Sequence, residues 1–418
     1  MNDQVRKGYK LTEVGVIPED WTLRSLREML QISSGFSFKS EFFSTTGTIV
    51  LTPGNFKLEG GLYFTDRNTK RYSVCYPEST VFQKGDLLVV MTDLTPDCNL
   101  LGKPAFVETE EKILHNQRIG KLNLITKNLD KNFLYFLLLS PSYLRKIKEQ
   151  ATGSTVRHTS NNSIYSVVLP IPSRVEEQTA IATVLSDSDR LIESLDRLIA
   201  KKRNLKQATM QQLLTGKTRL SGFSGEWEVK RLGDVANIQR GASPRPINST
   251  IWFDRNSSVG WVRISDVSSS DMRLYETEQK LSILGIQNSR PVAKGNLIMS
   301  ICATVGRPII TEIDTCIHDG FVVFDNLKVD KIFMYYILKW IEPNWSKHGQ
   351  TGSQMNLNTT LINKTTVAIP PLPEQTAIAS ILSDMDSEIA ALEQQRDKTR
   401  ALKQGMMQEL LTGRIRLI

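Results

Sequence analysis

The apolar positions of this chain fall into one long helical pattern that occurs twice. From Glu177 to Leu220, EQTAIATVLSDSDRLIESLDRLIAKKRNLKQATMQQLLTGKTRL carries a stripe through Ile181, Val184, Leu191, Leu195, Leu198 and Leu205. From Glu374 to Leu417, EQTAIASILSDMDSEIAALEQQRDKTRALKQGMMQELLTGRIRL carries its counterpart through Ile378, Ile381, Met385, Ile389, Leu392, Leu402 and Met406. The two stretches are identical at 25 of 44 ungapped positions, far above chance for two helices. Prolines bound the approach in LPIPSRVEEQ and AIPPLPEQ, and Gly216 and Gly413 supply the stops. Each stretch therefore predicts a helix of about 38 residues, roughly 55 Å long. The stripe follows a heptad-like seam broken by Ser188, Lys202 and Thr209. A helix of this kind needs an apolar partner, and the obvious one is the other copy, packed antiparallel.

Before each helix the texture changes to short β-type runs, and these repeat too. Trp21 aligns with Trp227, Leu26 with Leu232 and Gly35 with Gly241, at a constant spacing of 206. Thr48 to Phe56 and Val259 to Val267 read as strands. KGDLLVVMT from Lys84 and KGNLIMSIC from Lys294 read as strands buried on both faces. Gly102-Lys103-Pro104 and Gly306-Arg307-Pro308 follow, then amphipathic helices from Asp130 to Leu139 and from Asp330 to Ile341. TGS turns close both units, at Thr152 to Ser154 and Thr351 to Ser353. Between these landmarks the copies diverge, which suggests one fold carrying two different contact surfaces. The GKTRLSGFSG junction in mid-chain resembles the C-terminal GRIRLI joined to the N-terminal GYKLTEVG, so the termini are expected to meet.

Length and composition set outer limits. A chain of 418 residues with 40% hydrophobic and 23% charged content fits two to three ordinary domains. No apolar run approaches a membrane span and no signal-peptide core is present. Cys75, Cys98, Cys302 and Cys316 are scattered, so neither metal site nor disulfide framework is expected, and a reducing cytoplasm is. The net charge of +8 favours an acidic partner.

Catalytic signatures are missing. There is no phosphate loop, dinucleotide fingerprint, nucleophile elbow or amine-holding D/N-P-P-Y/F tetrapeptide. His115 in LHNQRIG and His318 in CIHDGF read as turn residues between buried strands, and Asp187, Asp189, Asp384 and Asp386 as a solvated or interface face. No catalytic, cofactor-binding or metal-ligating residue is expected. Nucleic-acid contact has better support, because basic and amide side chains gather in irregular segments. In the first unit these are Lys57, Arg67, Lys70, Arg71, Arg157, His158 and Asn161. In the second they are Arg240, Arg245, Asn248, Arg263, Arg307, Lys347, His348, Gln350, Gln354 and Asn356. Arg and Lys suit guanine edges, Asn and Gln adenine edges, and all of them phosphates.

The arm GVIPEDW, the KGDLLVV and KGNLIMS strands, the TGS turns, PLPEQTAIASIL and the LLTGK/LLTGR helix ends together resemble the specificity subunit of type I restriction–modification systems. The resemblance spans essentially the whole chain. It implies an α+β fold with two pseudo-symmetric mixed α/β target-recognition domains, separated by two long antiparallel helices in a coiled coil. The expected boundaries are domain 1 with its arm at 1–168, spacer helix 1 at 169–216, domain 2 at 217–367 and spacer helix 2 at 368–418. It implies a non-catalytic chain that reads an asymmetric bipartite target in double-stranded DNA and docks two methyltransferase subunits, with restriction/translocase subunits joining for cleavage. S-adenosylmethionine, ATP and magnesium would belong to those partners. The competing readings are a coiled-coil scaffold without sequence-specific DNA contact and a fused restriction or methylation enzyme.

Overall fold

The computed structural model describes residues 6–95, 97–345 and 357–417. Two compact units emerge, Met1–Leu195 with Gln395–Ile418, and Asp196–Gln394. The division falls inside both long helices, so each unit holds a globular part and half of each helix.

In the first unit, strand Leu87–Val90 is buried along its whole length, as its unbroken apolar run predicts. It lies in an antiparallel sheet ordered Pro104–Phe106, Leu87–Val90, Ile119–Leu124, Leu30–Ser34. A smaller sheet runs Ile113–Leu114, Thr48–Val50, Lys70–Tyr72, Phe43–Ser44. The second unit repeats the plan. Its fully buried strand Leu297–Ser300 sits in a sheet ordered Asn237–Arg240, Phe321–Asp325, Leu297–Ser300, Pro308–Thr311, Arg273–Leu274. The companion sheet runs Gln279–Lys280, Gly260–Val262, Thr315–Ile317, Arg290–Val292. In both units the arm strand pairs with the strand leading into the long helix: Trp21–Ser25 with Val168–Pro172, and Glu228–Arg231 with Thr366–Ile369.

The runs read as strands from Thr48 to Phe56 and from Val259 to Val267 are strands only in part. Pro53 opens a 3-10 turn over Pro53–Asn55, and Asp266 accepts the Arg263 backbone N–H at 2.7 Å at the start of helix Ile264–Ser269. Turn and capping chemistry overrides the β-branched propensity there. The amphipathic helices occur as Lys131–Leu138 and Lys331–Trp345, and each begins with an aspartate, Asp130 or Asp330, accepting the N–H of Phe133 or Phe333 at 2.8 Å.

The connector helices are Val175–Leu213 and Leu372–Leu410, 39 residues each. In the second unit they run antiparallel, with Lys202 paired to Glu388 and Lys206 to Asp386. In the first unit Lys403 pairs with Asp189, and Met406, Met407 and Leu410 pack against the cluster holding Ile181 and Leu185.

The seam is one position away from part of the sequence reading. Ile181, Leu195, Ile378 and Ile389 are buried, and Val184, Ile381, Met385, Leu392 and Met406 are half-buried. Leu191, Leu198, Leu205 and Leu402 are instead exposed, so their assignment to helix packing is corrected. The buried row steps by four and three through Ile181, Leu185, Leu195, Ile199, Met210 and Leu213, with Ser188, Ile192, Lys202 and Lys206 on the same row. Leu191, Leu198 and Leu205 keep strict sevens from Val184, one residue off that row, which turns them about 100° around the helix toward solvent. Ser188 and Lys202, which appear to break the seam, lie on it, with Lys202 and Lys206 taking acidic partners rather than apolar ones.

The N-terminal arm and the C-terminal segment meet within the first unit. The Tyr9 hydroxyl donates to Gly413 O at 3.0 Å and Arg416 pairs with Asp20.

Candidate nucleic-acid interface

Both units are pinned to their connector helices by the same buried dipeptide. Glu177 and Gln178 open the first helix, Glu374 and Gln375 the second, and all four are at most 4% exposed. Trp21 Nε1 donates to Glu177, and Trp227 Nε1 to Glu374, each at 3.3 Å. Arg416 grips Glu177 with two N–H groups, as Arg219 grips Glu374 at 2.7 Å through both Nε and Nη2. The next residue reaches into the recognition fold. Gln178 Oε1 accepts the Asp130 N–H and Gln375 Oε1 the Asp330 N–H, both at 2.8 Å. Their amides donate to Pro172 O and Pro370 O at 2.9 and 2.8 Å. Two buried hydrogen-bonding residues therefore fix where each amphipathic helix begins, and with it the sheet packed on that helix. Sequence reading noticed the repeat of Glu-Gln but assigned it no role.

The histidines also act as matched pieces of scaffold. His115 Nε2 donates to Ile119 O at 2.8 Å, and His318 Nδ1 accepts the Gly320 N–H at 2.9 Å. Burial pushes both imidazoles below their ordinary pKa, with Arg263 adding to the shift at His318. Each histidine turn presses on a glycine. A Cβ on Gly35 would stand 2.4 Å from the Asn116 backbone, and one on Gly241 would stand 2.1 Å from His318 O. This close approach accounts for glycine at both positions of the register.

Beyond His115 and the buried Asn116 the turn returns to the surface at Gln117 and Arg118, which sequence reading left out. In the first unit Gln117 and Arg118 are exposed beside strand Arg157–His158, which pairs with Thr92–Asp93. The Asp93 carboxylate is buried and accepts the N–H groups of Thr95 and Leu101 at 2.8 and 3.1 Å, folding the following loop back. Ser160 caps the short helix Asn161–Tyr165. Thr92, Gln117, Arg118, His158, Thr159 and Asn161 surround a hollow of about 510 Å³. The structure thus brings His158 and Asn161 together with Gln117 and Arg118. Arg157 faces its own turn, donating to Gly153 O at 2.8 Å and Ala151 O at 3.4 Å, and so braces the TGS segment.

Lys57, Arg67 and Lys70 are exposed on the segment from Pro53 to Tyr72. Asn68 organises it, accepting the Thr65 N–H at 2.7 Å and donating to Gly54 O at 3.0 Å. Arg71 donates to Gly47 O and pairs with Glu111, a bracing role.

In the second unit guanidinium groups collect around the Asp319 loop. Arg240 donates to Asp319 O at 2.7 Å, Arg245 lies 3.4 Å from the carboxylate, and Ser243 donates to it at 2.5 Å. The Ser243 hydrogen bond holds the Asp319 carboxyl below the usual carboxylate pKa. Arg290, also missed, donates to Arg240 O and to Gln239 Oε1. Asn248 is exposed on the loop after Arg245, and Arg263 is half-buried near His318. Arg307 is half-buried and braces Ser270 O at 2.9 Å. Lys347, His348, Gln350, Gln354 and Asn356, with the second TGS turn, lie outside the described residues. Among the described residues no group of three or more His, Cys, Asp or Glu could hold a metal ion, and no helix is long and apolar enough to cross a membrane.

A family model described as the type I restriction modification DNA specificity domain matches residues 18–201 and again 224–399. The chain belongs to this family. Among its relatives, the type I restriction enzyme MjaIX specificity subunit of Methanocaldococcus jannaschii is 23% identical over 98% of this chain and 96% of its own length. The EcoBI specificity subunit of Escherichia coli is 22% identical over 96% of this chain and 86% of its own. The solved type I S subunit from M. genitalium superposes with a TM-score of 0.61 at 17% identity, covering 96% and 97% of the two chains. A structure from work on assembly and conformational transition of the type I system gives 0.60 at 17%, covering 96% and 99%. These similarities identify this specificity subunit's fold as two copies of one α+β recognition module with long antiparallel helices.

Proposed function

We propose that this specificity subunit reads an asymmetric, two-part DNA target for a type I restriction–modification complex, with methyltransferase subunits docked on its connector helices. The observation that carries the reading is that the surfaces around the two matched histidine turns of one duplicated fold carry different chemistry. The first unit offers Gln117, Arg118 and His158, and the second a cluster of Arg240, Arg245 and Arg290 about Asp319. Scaffold positions agree between the copies while these surfaces do not, so each unit is suited to a different few base pairs in the major groove. The chain itself is non-catalytic. S-adenosylmethionine, ATP and magnesium would be held by the methyltransferase and restriction/translocase partners, in the cytoplasm. Adenine methylation mapped in DNA modified by the complex should reveal two unequal half-sites with a fixed gap. A single continuous motif, or a palindromic one, would overturn the proposal.

The docking part rests on the leucines beside the seam. Leu191, Leu198 and Leu205 are 44%, 38% and 51% exposed along one helix row. Near its start Val175, Thr179, Ala180, Thr183 and Val184 line a shallow hollow. Leu198→Glu is expected to weaken methyltransferase binding about 10- to 30-fold while leaving thermal unfolding in place. Calorimetric titration checks this, and an unchanged Kd would remove the row from the interface.

A further inference from the structure

We propose that the hollow beside the His115 turn is the base-reading pocket of the first unit, with Arg118 taking a guanine edge and Asn161 an adenine edge. This rests on the function proposed above and adds to it the residues that discriminate. Three observations favour a nucleobase edge here. First, the pocket is built. Thr92 and Thr159 are 6% and 8% exposed, His158 Nδ1 is hydrogen-bonded to the Thr92 hydroxyl at 3.1 Å, and Thr159 N–H is tied to Met91 O at 3.0 Å. Second, it contains unanswered polar groups. The Thr159 hydroxyl is buried without a hydrogen-bond partner, and among the described residues the Arg118 guanidinium and the Asn161 amide have no side-chain partner. A buried hydroxyl left unpaired is costly, and a ligand that supplies its partner recovers that cost. Third, the lining mixes donors with acceptors. A phosphate presents acceptors only and calls for a lining of donors, whereas the major-groove edge of a base pair presents donors as well as acceptors.

Arg118 and Asn161 have complementary roles on this lining. The planar fork of Arg118 matches O6 and N7 of guanine, and the Asn161 amide can accept from N6 and donate to N7 of adenine. Gln117 is restrained by its bond to the Ser37 hydroxyl at 3.2 Å, which fixes the rim of the loop rather than leaving it to search. The second unit carries Asp319 immediately after its equivalent histidine, so the matching place there has a different specificity.

The test uses the full complex with its methyltransferase partners acting on DNA of random sequence. Arg118→Ala, Arg118→Lys and Asn161→Ala are each mapped for methylation, with Lys57→Ala for comparison and thermal unfolding recorded for all. Each pocket variant should lose about 5- to 150-fold discrimination at one base position of one half-site, with the other half-site unchanged. Arg118→Lys should keep overall affinity and lose part of the guanine preference, less than Arg118→Ala does, because it keeps the charge and donors but not the planar fork. Lys57→Ala should weaken all sequences alike. A two-part motif that persists intact in the pocket variants, or a uniform weakening without change of preference, overturns the pocket assignment alone. A wild-type complex that shows no two-part motif overturns the underlying function as well.

Discussion

Replacing Arg416 with alanine is expected to destabilise the first unit by about 3–5 kcal/mol, the range for removing one partner of a buried ion pair. The Glu177 side chain is 1% exposed, and without Arg416 its only remaining hydrogen bond among the described residues is that from Trp21 Nε1 at 3.3 Å. Arg416 also holds Asp20 through Nη1 and Nη2 at 2.9 and 2.8 Å, and its guanidinium stands 5.8 Å from the Trp21 ring centroid. One side chain thus joins the arm, the start of the first connector helix and the end of the second. Urea unfolding followed by tryptophan fluorescence measures the loss, and an unmoved transition would show that Glu177 finds another partner. The pH dependence has a definite sign. Arg416 lowers the Asp20 pKa below its ordinary 3.8. Stability from that pair is therefore present above pH 3.8 and is lost as the pH falls through the lower folded value. The variant should lack this acid dependence.

Gln178→Leu is expected to cost about 3 kcal/mol or more while changing side-chain volume little. It would strand the Asp130 N–H and the buried Pro172 carbonyl, paired to Gln178 at 2.8 and 2.9 Å, and would also break the 3.2 Å bond to the carbonyl of exposed Asn128. A buried backbone group deprived of its partner costs about 1–3 kcal/mol. Gln375→Leu would strand two such groups, the Asp330 N–H and Pro370 O, and should cost less by roughly one hydrogen bond. The ordering of the two variants in denaturant unfolding is the measurement. Equal losses, or a larger one for Gln375→Leu, would refute the assignment of these amides as anchors.

Both variants act on groups that no local pattern announces. The connector helices were legible to within a few residues because apolar periodicity, bounding prolines and stop glycines are read over short windows. Leu87–Val90 and Leu297–Ser300 were legible as doubly buried strands for the same reason: a continuous apolar run leaves no polar face for water. The Thr48 and Val259 runs were over-extended because Pro53 and Asp266 impose turns that a count of β-branched residues does not weigh. The candidate surface was half legible. His158, Asn161, Arg240 and Arg245, which line or border the proposed surfaces, were named from residue type and position. Gln117, Arg118 and Arg290 were passed over because they follow or face histidine turns that read as scaffold.

By itself the sequence determined that one fold occurs twice, where its helices begin and end, and which strands lie in the core, since each depends on neighbours within a few positions. Only the tertiary structure decided which leucines of the connector are buried. A row kept at strict sevens and the row one position beside it have the same apolar period, and a packed partner alone distinguishes them. The same holds for Glu177 and Arg416, which are 239 residues apart. Their pairing is set by where two helix ends meet around Trp21, and no spacing along the chain encodes that encounter.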